Sequence, residues 1–310
     1  MGLKIYKYLG ADILNLAFAK KGLCSFKCSY PEDFNDPYEL FLTIDFQQAP
    51  DLLATYKDTI GELPQLPTSC FSKSPSVIPM WAHYAHNHRG VVVEVDETKL
   101  LEKLPDINFG DVDYLDKPND GLLDILARAC HIGKPRYHFF LQQGVYSAAY
   151  FTKQTCWSYE QERRLVANDK LVNDVNGIML IDFPVECISS LIVGHDTSEQ
   201  TKNMVRELAD GIEADFFEMK IAKTSSEPYY VGLNNNTYHF NAGSITKCGN
   251  NCDDCGEPVG VESDLCSWCA ITENDTDEAA SRNPLRMIQH MGGLEGYYKS
   301  MLEVGRNDEK

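Results

Sequence analysis

Apolar and polar positions along the chain change period repeatedly, and the changes mark short strands and helices without a regular strand–helix–strand rhythm. Residues 3–9 alternate as a strand, 11–21 carry a helical pattern closed by Gly22, and 23–28 alternate again. A turn-rich loop follows over 29–37, where Pro31 and Pro37 flank the Asx residues Asp33, Asn35 and Asp36. The pattern then predicts a helix over 50–62, a strand over 68–72, a helix over 78–88 with Pro79 in its first turn, and a β-branched strand over 90–95. Residues 121–151 read as two helices broken near Gly133 and Pro135. Strands are expected at 163–167, 178–183, 188–193 and 216–222, with an amphipathic helix over 199–212. The polar stretch 224–247, with Asn234, Asn235 and Asn236 at its centre, reads as a loop or linker. An acidic stretch over 273–281 precedes a last helix over 284–304.

This order predicts an α+β protein with a mixed or split β-sheet and flanking helices, followed by a small zinc ribbon and a terminal helix. The expected division is 1–223 for the main domain, 224–247 for the linker, 248–272 for the ribbon and 273–310 for the acidic linker and helix.

Composition narrows the class. The chain has 310 residues, of which 43% are hydrophobic and 11% aromatic, as in a folded protein. No stretch approaches the roughly 20 apolar residues of a membrane span, so no membrane partner is expected. The N-terminus runs straight into a strand pattern with no basic region and apolar core before it, which predicts a cytoplasmic location. A formal charge of −18 repels a phosphate backbone, so broad nucleic-acid binding is not expected. One small anionic ligand needs only a local basic pocket and stays compatible. There are 11 cysteines, an odd number. Six of them, Cys24, Cys28, Cys70, Cys130, Cys156 and Cys187, are scattered among apolar residues and read as small buried hydrophobes.

The remaining five crowd together. Cys252-Asp253-Asp254-Cys255-Gly256 is one knuckle, and Cys266-Ser267-Trp268-Cys269 repeats the two-residue spacing ten residues later. The glycine permits a left-handed turn that aims backbone N–H groups at the sulfurs. Two such knuckles bring four thiolates to tetrahedral separation, so Cys252, Cys255, Cys266 and Cys269 are the expected ligands of one structural Zn²⁺. Cys248 is the spare, either an alternative ligand or a free thiol, and the free thiol is the favoured reading. The acidic ribbon loops suit a protein partner or simply solubility.

Three clusters stand out for chemistry: Phe34-Asn35-Asp36-Pro37-Tyr38-Glu39; Cys70-Phe71-Ser72 with Met80-Trp81-Ala82-His83-Tyr84 and His88-Arg89-Gly90; and Lys153 with Trp157-Ser158-Tyr159-Glu160-Gln161-Glu162-Arg163-Arg164. With Tyr6-Lys7-Tyr8 they resemble, over about residues 4–170, the bacterial family catalogued as domain of unknown function number 2971. Domains of this kind often sit in bacterial and phage conflict systems, which suits an antiviral-defence role for either an enzyme or a sensor. The order of elements is also similar to the split-sheet ADP-ribosyltransferases. That similarity implies an NAD-using transferase or glycohydrolase, with Lys7 as the first-strand residue, Tyr84 or Phe71 stacking the nicotinamide, and Glu162, seconded by Glu160, as the catalytic acid. Asn35, Asp36, Ser72, Trp81, His83 and Arg89 would complete the cofactor site.

Each residue also has a structural reading. Asn35 and Asp36 are turn formers, Trp81 and Tyr84 sit at core spacing, and Glu160 and Glu162 would share one face of a strand, paired with Arg89, Arg163 or Lys153. Two further functions compete with the transferase: a metal-dependent phosphodiesterase using Asp36, Glu39, Glu160 and Glu162, and a non-enzymatic ligand sensor or adaptor whose ribbon docks a partner.

Overall fold

A computed structural model describes residues 2–36, 38, 42–61, 63, 65–118 and 120–307, with side chains to 304. Glu39, one of the phosphodiesterase carboxylates, lies outside the described residues, as does Pro37. The chain opens with β1 (Lys4–Leu9), α1 (Ala11–Ala17), β2 (Leu23–Lys27), α2 (Pro50–Gly61), β3 (Thr68–Ser72), α3 (Ile78–Tyr84), β4 (Val91–Asp96) and α4 (Glu97–Lys103). It continues through β5 (Asn108–Asp111), β6 (Asp113–Leu115), α5 (Asp120–Ile132), α6 (Pro135–Phe151), β7 (Thr152–Gln154) and β8 (Glu162–Val166). Next come β9 (Val172–Val175), β10 (Ile178–Pro184), β11 (Ile188–Val193), α7 (Glu199–Gly211), β12 (Asp215–Lys220), β13 (Tyr229–Gly232), β14 (Thr237–Asn241) and β15 (Ser244–Lys247). Three helices close it: α8 (Glu273–Arg282), α9 (Pro284–His290) and α10 (Leu294–Asn307). The α+β expectation holds. None of the described helices is long and apolar enough to cross a membrane.

Two compact units divide the chain, one of residues 1–222 with 226–248, the other of 223–225 with 249–310. The first is built on a 10-stranded sheet in the order β15-β14-β13-β12-β11-β4-β1-β3-β8-β5. Its neighbours are antiparallel except β11 and β12, which run parallel because α7 carries the crossover between them. β4 at the centre is buried along its whole length, which is why its sequence is a β-branched run and not an alternation.

Alternation instead separates the two faces of the sheet. Ile5, Val91, Val93, Phe71 and Leu165 point to one face and pack with Phe26 and Phe183 of the small β2-β10-β9 sheet and with Val205 of α7. Tyr6, Tyr8, Val92, Ile192 and Tyr230 point to the other and pack against Met80 and Trp81 of α3. A third core joins α2, α5 and α6 through Tyr56, Leu126, Leu141 and Val145.

The structure corrects the sequence reading in four places. Residues 229–247, expected as linker, form β13–β15 and widen the sheet. Asn235, with φ 56, turns one hairpin and Ala242-Gly243 turns the next, so the polar residues are turns between strands. The acidic stretch 273–281 is α8, started by a capping box in which Thr272 and Asp275 bond each other's backbone N–H. The last helix is two, broken where Gly292 takes φ 74. Finally α3 stops at Tyr84, because His86, Asn87 and His88 all take positive φ. Gly90 then packs so closely that a Cβ there would lie 2.2 Å from the Leu9 carbonyl oxygen.

Candidate functional site

Three adjacent strands set the register of the site: Tyr6 of β1 lies opposite Ser72 of β3, and Ser72 opposite Glu162 of β8. Two pairs further along, Cys70 faces Arg164. Since side chains alternate, Ser72, Cys70, Glu162 and Arg164 all project from the face that carries Tyr6 and Tyr8. Arg164 is fully buried and grips Glu162 with both edges of its fork, Nε to Oε1 at 2.9 Å and Nη2 to Oε2 at 3.1 Å. Its Nη1 donates to the Tyr150 carbonyl at 2.8 Å, and the Phe34 ring lies 4.8 Å from its guanidinium carbon. The opening loop is thereby attached to β8.

Glu160 reaches the same place by another route. It ends a 3₁₀ segment, Thr155–Glu160, and Gln161 then takes a left-handed φ of 47 before β8 begins. That turn sends both acids to one cation: Lys153 Nζ donates to Glu160 Oε2 at 2.6 Å and to Glu162 Oε2 at 3.3 Å. The Tyr84 hydroxyl donates to Glu160 Oε1 at 2.7 Å, and Asn35 bonds the same hydroxyl. The Glu162 backbone N–H donates to the Tyr114 hydroxyl at 2.7 Å. Glu160 and Glu162 are each only 3% exposed, so the acids, Lys153 and Arg164 form a buried, charge-matched group.

Electrostatics follow from this pairing. Burial alone would raise the Glu162 pKa, but Arg164, then Lys153 and the Cys70 thiol, outweigh it and hold it down to about 2. Burial and then Glu160 push the Tyr84 hydroxyl up, and burial with Glu162 does the same to Cys70. Glu162 therefore stays ionised at any physiological pH. Its folded pKa lies below the ordinary 4.5, so the stability it confers is complete above about pH 4.5 and is lost as pH falls through about 2. The contribution is on the order of 3 kcal/mol. Urea unfolding at stepped pH should show it, and a Glu162 carboxyl titrating near 4.5 by NMR of the folded protein would contradict it.

Of the residues singled out in the sequence, Tyr84, Glu160 and Glu162 converge, with Asn35 beside Tyr84. His83 joins the rim, its Nδ1 3.3 Å from the Tyr159 hydroxyl. Ser72 sits directly beside Glu162 but is fully buried, its Oγ accepting the Ser74 N–H. Asp36 is buried with Oδ1 capping the Tyr38 N–H, and its Oδ2 has no partner among the described residues. Arg89 is exposed in the turn before β4.

Three expectations need correction. Lys7 alternates onto the opposite face of the sheet, where its Nζ bonds Ser69 Oγ at 2.9 Å and the Cys70 carbonyl at 2.8 Å, 5.0 Å from the Phe71 ring centre. Desolvation there lowers its pKa. Its hydrogen bonds go to Ser69 and Cys70 and not to Tyr84, Glu160 or Glu162. Phe71 is packed among Phe26, Phe109 and Phe183, and Trp81 is wholly buried with its indole N–H on the Pro75 carbonyl. Neither ring has a face left for a nicotinamide. Among the proposed cations Lys153 is the one that pairs the acids, whereas Arg163 points away to Glu97 and Asp111. Arg164 was missed, although its i, i+2 spacing from Glu162 on a strand was a usable signal.

Comparison with known proteins adds one finding. Residues 80–165 match the model of the family described as protein of unknown function (DUF2971). The matched segment carries Tyr84, Lys153, Glu160, Glu162 and Arg164, and leaves out the loop of Phe34 and Asn35 and the cysteine group. No curated protein and no solved structure matches the chain.

The cysteine group belongs to the second unit. The sulfurs of Cys252, Cys255, Cys266 and Cys269 all lie within 4.8 Å of one another, and Cys255 and Cys266 are 3.8 Å apart. Four thiolates at zinc–sulfur distances of about 2.3 Å in a tetrahedron are separated by about 3.8 Å, so the donor set fits that ion. Gly256 takes φ 77, and the N–H of Cys269 points at the Cys266 sulfur at 3.4 Å. Burial would raise the Cys252 thiol, but backbone N–H groups from Cys255, Cys266 and Asp254 outweigh it and lower its pKa. Lys223 Nζ lies 3.4 Å from the Cys269 sulfur, and Glu257 accepts the backbone N–H of Lys223 and Thr224 at 2.8 and 2.9 Å, tying 223–225 to the knuckles. Cys248 stands outside the four, with its sulfur 3.1 Å from His239 Nδ1.

Proposed function

We propose that the Glu160 centre recognises a small nucleotide-type ligand, and that the protein senses this ligand rather than transferring ADP-ribose from NAD. The observation that carries this reading is the site's internal neutrality: Lys153 and Arg164 already match Glu160 and Glu162. Stabilising an oxocarbenium-like centre requires an anion whose field is not cancelled by adjacent cations, and a carboxylate titrating near 2 is a poor proton carrier. Outside this floor, Trp157 and Tyr159 are half-buried, His83 and Asn35 are exposed, and Lys153 Nζ lies 4.9 Å from the Trp157 ring centre. Rings of this kind stack planar bases, and the amide and the Tyr84 hydroxyl supply polar contacts to a sugar.

The test is calorimetric titration of a panel of nucleotides, NAD included, into the wild-type protein and Trp157→Ala. Stacking of one base is worth about 1–3 kcal/mol, so the variant should bind roughly 5- to 150-fold more weakly, with no nucleotide consumed. NAD turnover that Glu162→Gln abolishes would overturn the sensing reading. The four-cysteine group fits a structural zinc ion in this proposal. A closed set of four thiolates leaves no open coordination position, so the metal supplies folding energy to the second unit and takes no part in ligand chemistry.

A further inference from the structure

The antiparallel packing of α2 against α5 brings a second set of metal donors together, far along the chain from the knuckles. Asp51 lies in the first turn of α2, and Cys130 and His131 in the last turn of α5. One carboxylate oxygen, one sulfur and one imidazole nitrogen all lie within 4.8 Å of one another. The Cys130 thiol already points at the first turn of α2, 3.8 Å from the Asp51 carbonyl oxygen. Both helices are held in place by the core of Tyr56, Leu122, Leu126 and Ala129, so the donors sit on rigid elements.

We propose that Asp51, Cys130 and His131 bind a borderline-soft divalent ion of the zinc or cobalt type, with a fourth position open to water. The donor set excludes the hard ions: magnesium and calcium want oxygen ligands, whereas a thiolate with an imidazole selects later transition metals. Donors about 3.3–3.8 Å apart surround a tetrahedral zinc, so the three have to close by about 1 Å, within reach of side-chain rotation. The C-terminal end of the α5 dipole places partial negative charge beside the ion, and the chain's charge of −18 draws cations to the surface. Three protein ligands plus water distinguish this site from the closed four-cysteine one. Asp51 and His131 are exposed, so the open position faces solvent.

The experiment counts bound metal in the full chain by titrating Co²⁺ and reading the thiolate charge-transfer band, after which Zn²⁺ displacement is followed. It is run in the fourfold variant Cys252→Ser, Cys255→Ser, Cys266→Ser, Cys269→Ser, so that its result does not depend on the ribbon. One equivalent should bind there, with a band reporting a single thiolate. Adding Cys130→Ser should remove the band and the bound equivalent, and His131→Ala should weaken binding at least 10-fold while leaving the fold, read by circular dichroism, unchanged. No cobalt band in the fourfold variant, or a band that survives both further substitutions, overturns the proposal.

Discussion

Replacing Arg164 by Met is expected to destabilise the sheet unit by about 3–5 kcal/mol, because it leaves Glu162 ionised and buried, with Lys153 as its partner cation and the Cys70 thiol as a weak donor. The methionine fills much of the arginine's volume, so the loss reports charge and hydrogen bonding more than cavity formation. It also frees the Tyr150 carbonyl and the Phe34 ring, both of which the guanidinium engages. Urea unfolding followed by tryptophan fluorescence would measure the change. A loss under about 1 kcal/mol would show that the pair contributes little more than an exposed salt bridge does. The double variant Arg164→Met, Glu162→Leu separates the two effects: removing both charges should recover most of the stability, since desolvation and attraction nearly cancel in a buried pair. Ligand recognition at the rim should then be the property that suffers, because Lys153 loses one of its two acids.

Replacing Cys255 by Ser should produce the other large effect. Structural zinc in four-ligand modules contributes an apparent binding free energy of about 10–16 kcal/mol, and a serine hydroxyl is a far weaker ligand than a thiolate. The second unit has little else to hold it: in α8, α9 and the described part of α10 no side chain is buried, and Met291, Leu302 and Val261 are largely exposed. Hydrogen exchange over residues 249–307 should approach the unprotected rate in the variant and in chelator-treated wild type, while β1, β4 and β11 keep their protection. Protection across 249–307 that persists without metal would show that the knuckles fold on hydrogen bonds alone. Ligand binding at Trp157 should be unchanged, since that ring lies in the other unit.

Much of this was legible in the sequence where a local pattern has one physical solution. The central β-branched run at 91–95 could only be a strand covered on both faces, and the two knuckles could only bring sulfurs together. The acids at 160 and 162 were legible as a pair because their spacing is short, although the left-handed turn at Gln161 that aims them was not. Lys7 shows the opposite case. Its place on a first strand was right, but the side of the sheet it takes depends on which neighbours β1 acquires, and those pairings join residues some 60 to 90 positions apart. The hairpins at 229–247 were hidden for a related reason: asparagines in a polar run look the same in a linker as in a tight turn until the flanking Tyr229–Gly232 and Thr237–Asn241 are seen to pair. Arg164 was overlooked because Arg163 beside it offered an equal charge, and only strand alternation tells the two apart.

Those hairpins decide where the folded unit can be cut. A fragment stopped at residue 223, the boundary the hydrophobic pattern suggested, would leave β12 with bare amides and carbonyls along one side, and Phe217 and Met219 without the cover of Tyr230 and Tyr238. An unguarded strand of that kind recruits other chains edge to edge, so the shortened protein would be prone to self-association in place of solubility. Any fragment meant to isolate the sheet has to run on to Cys248, whose N–H closes the last hydrogen bond to Thr237.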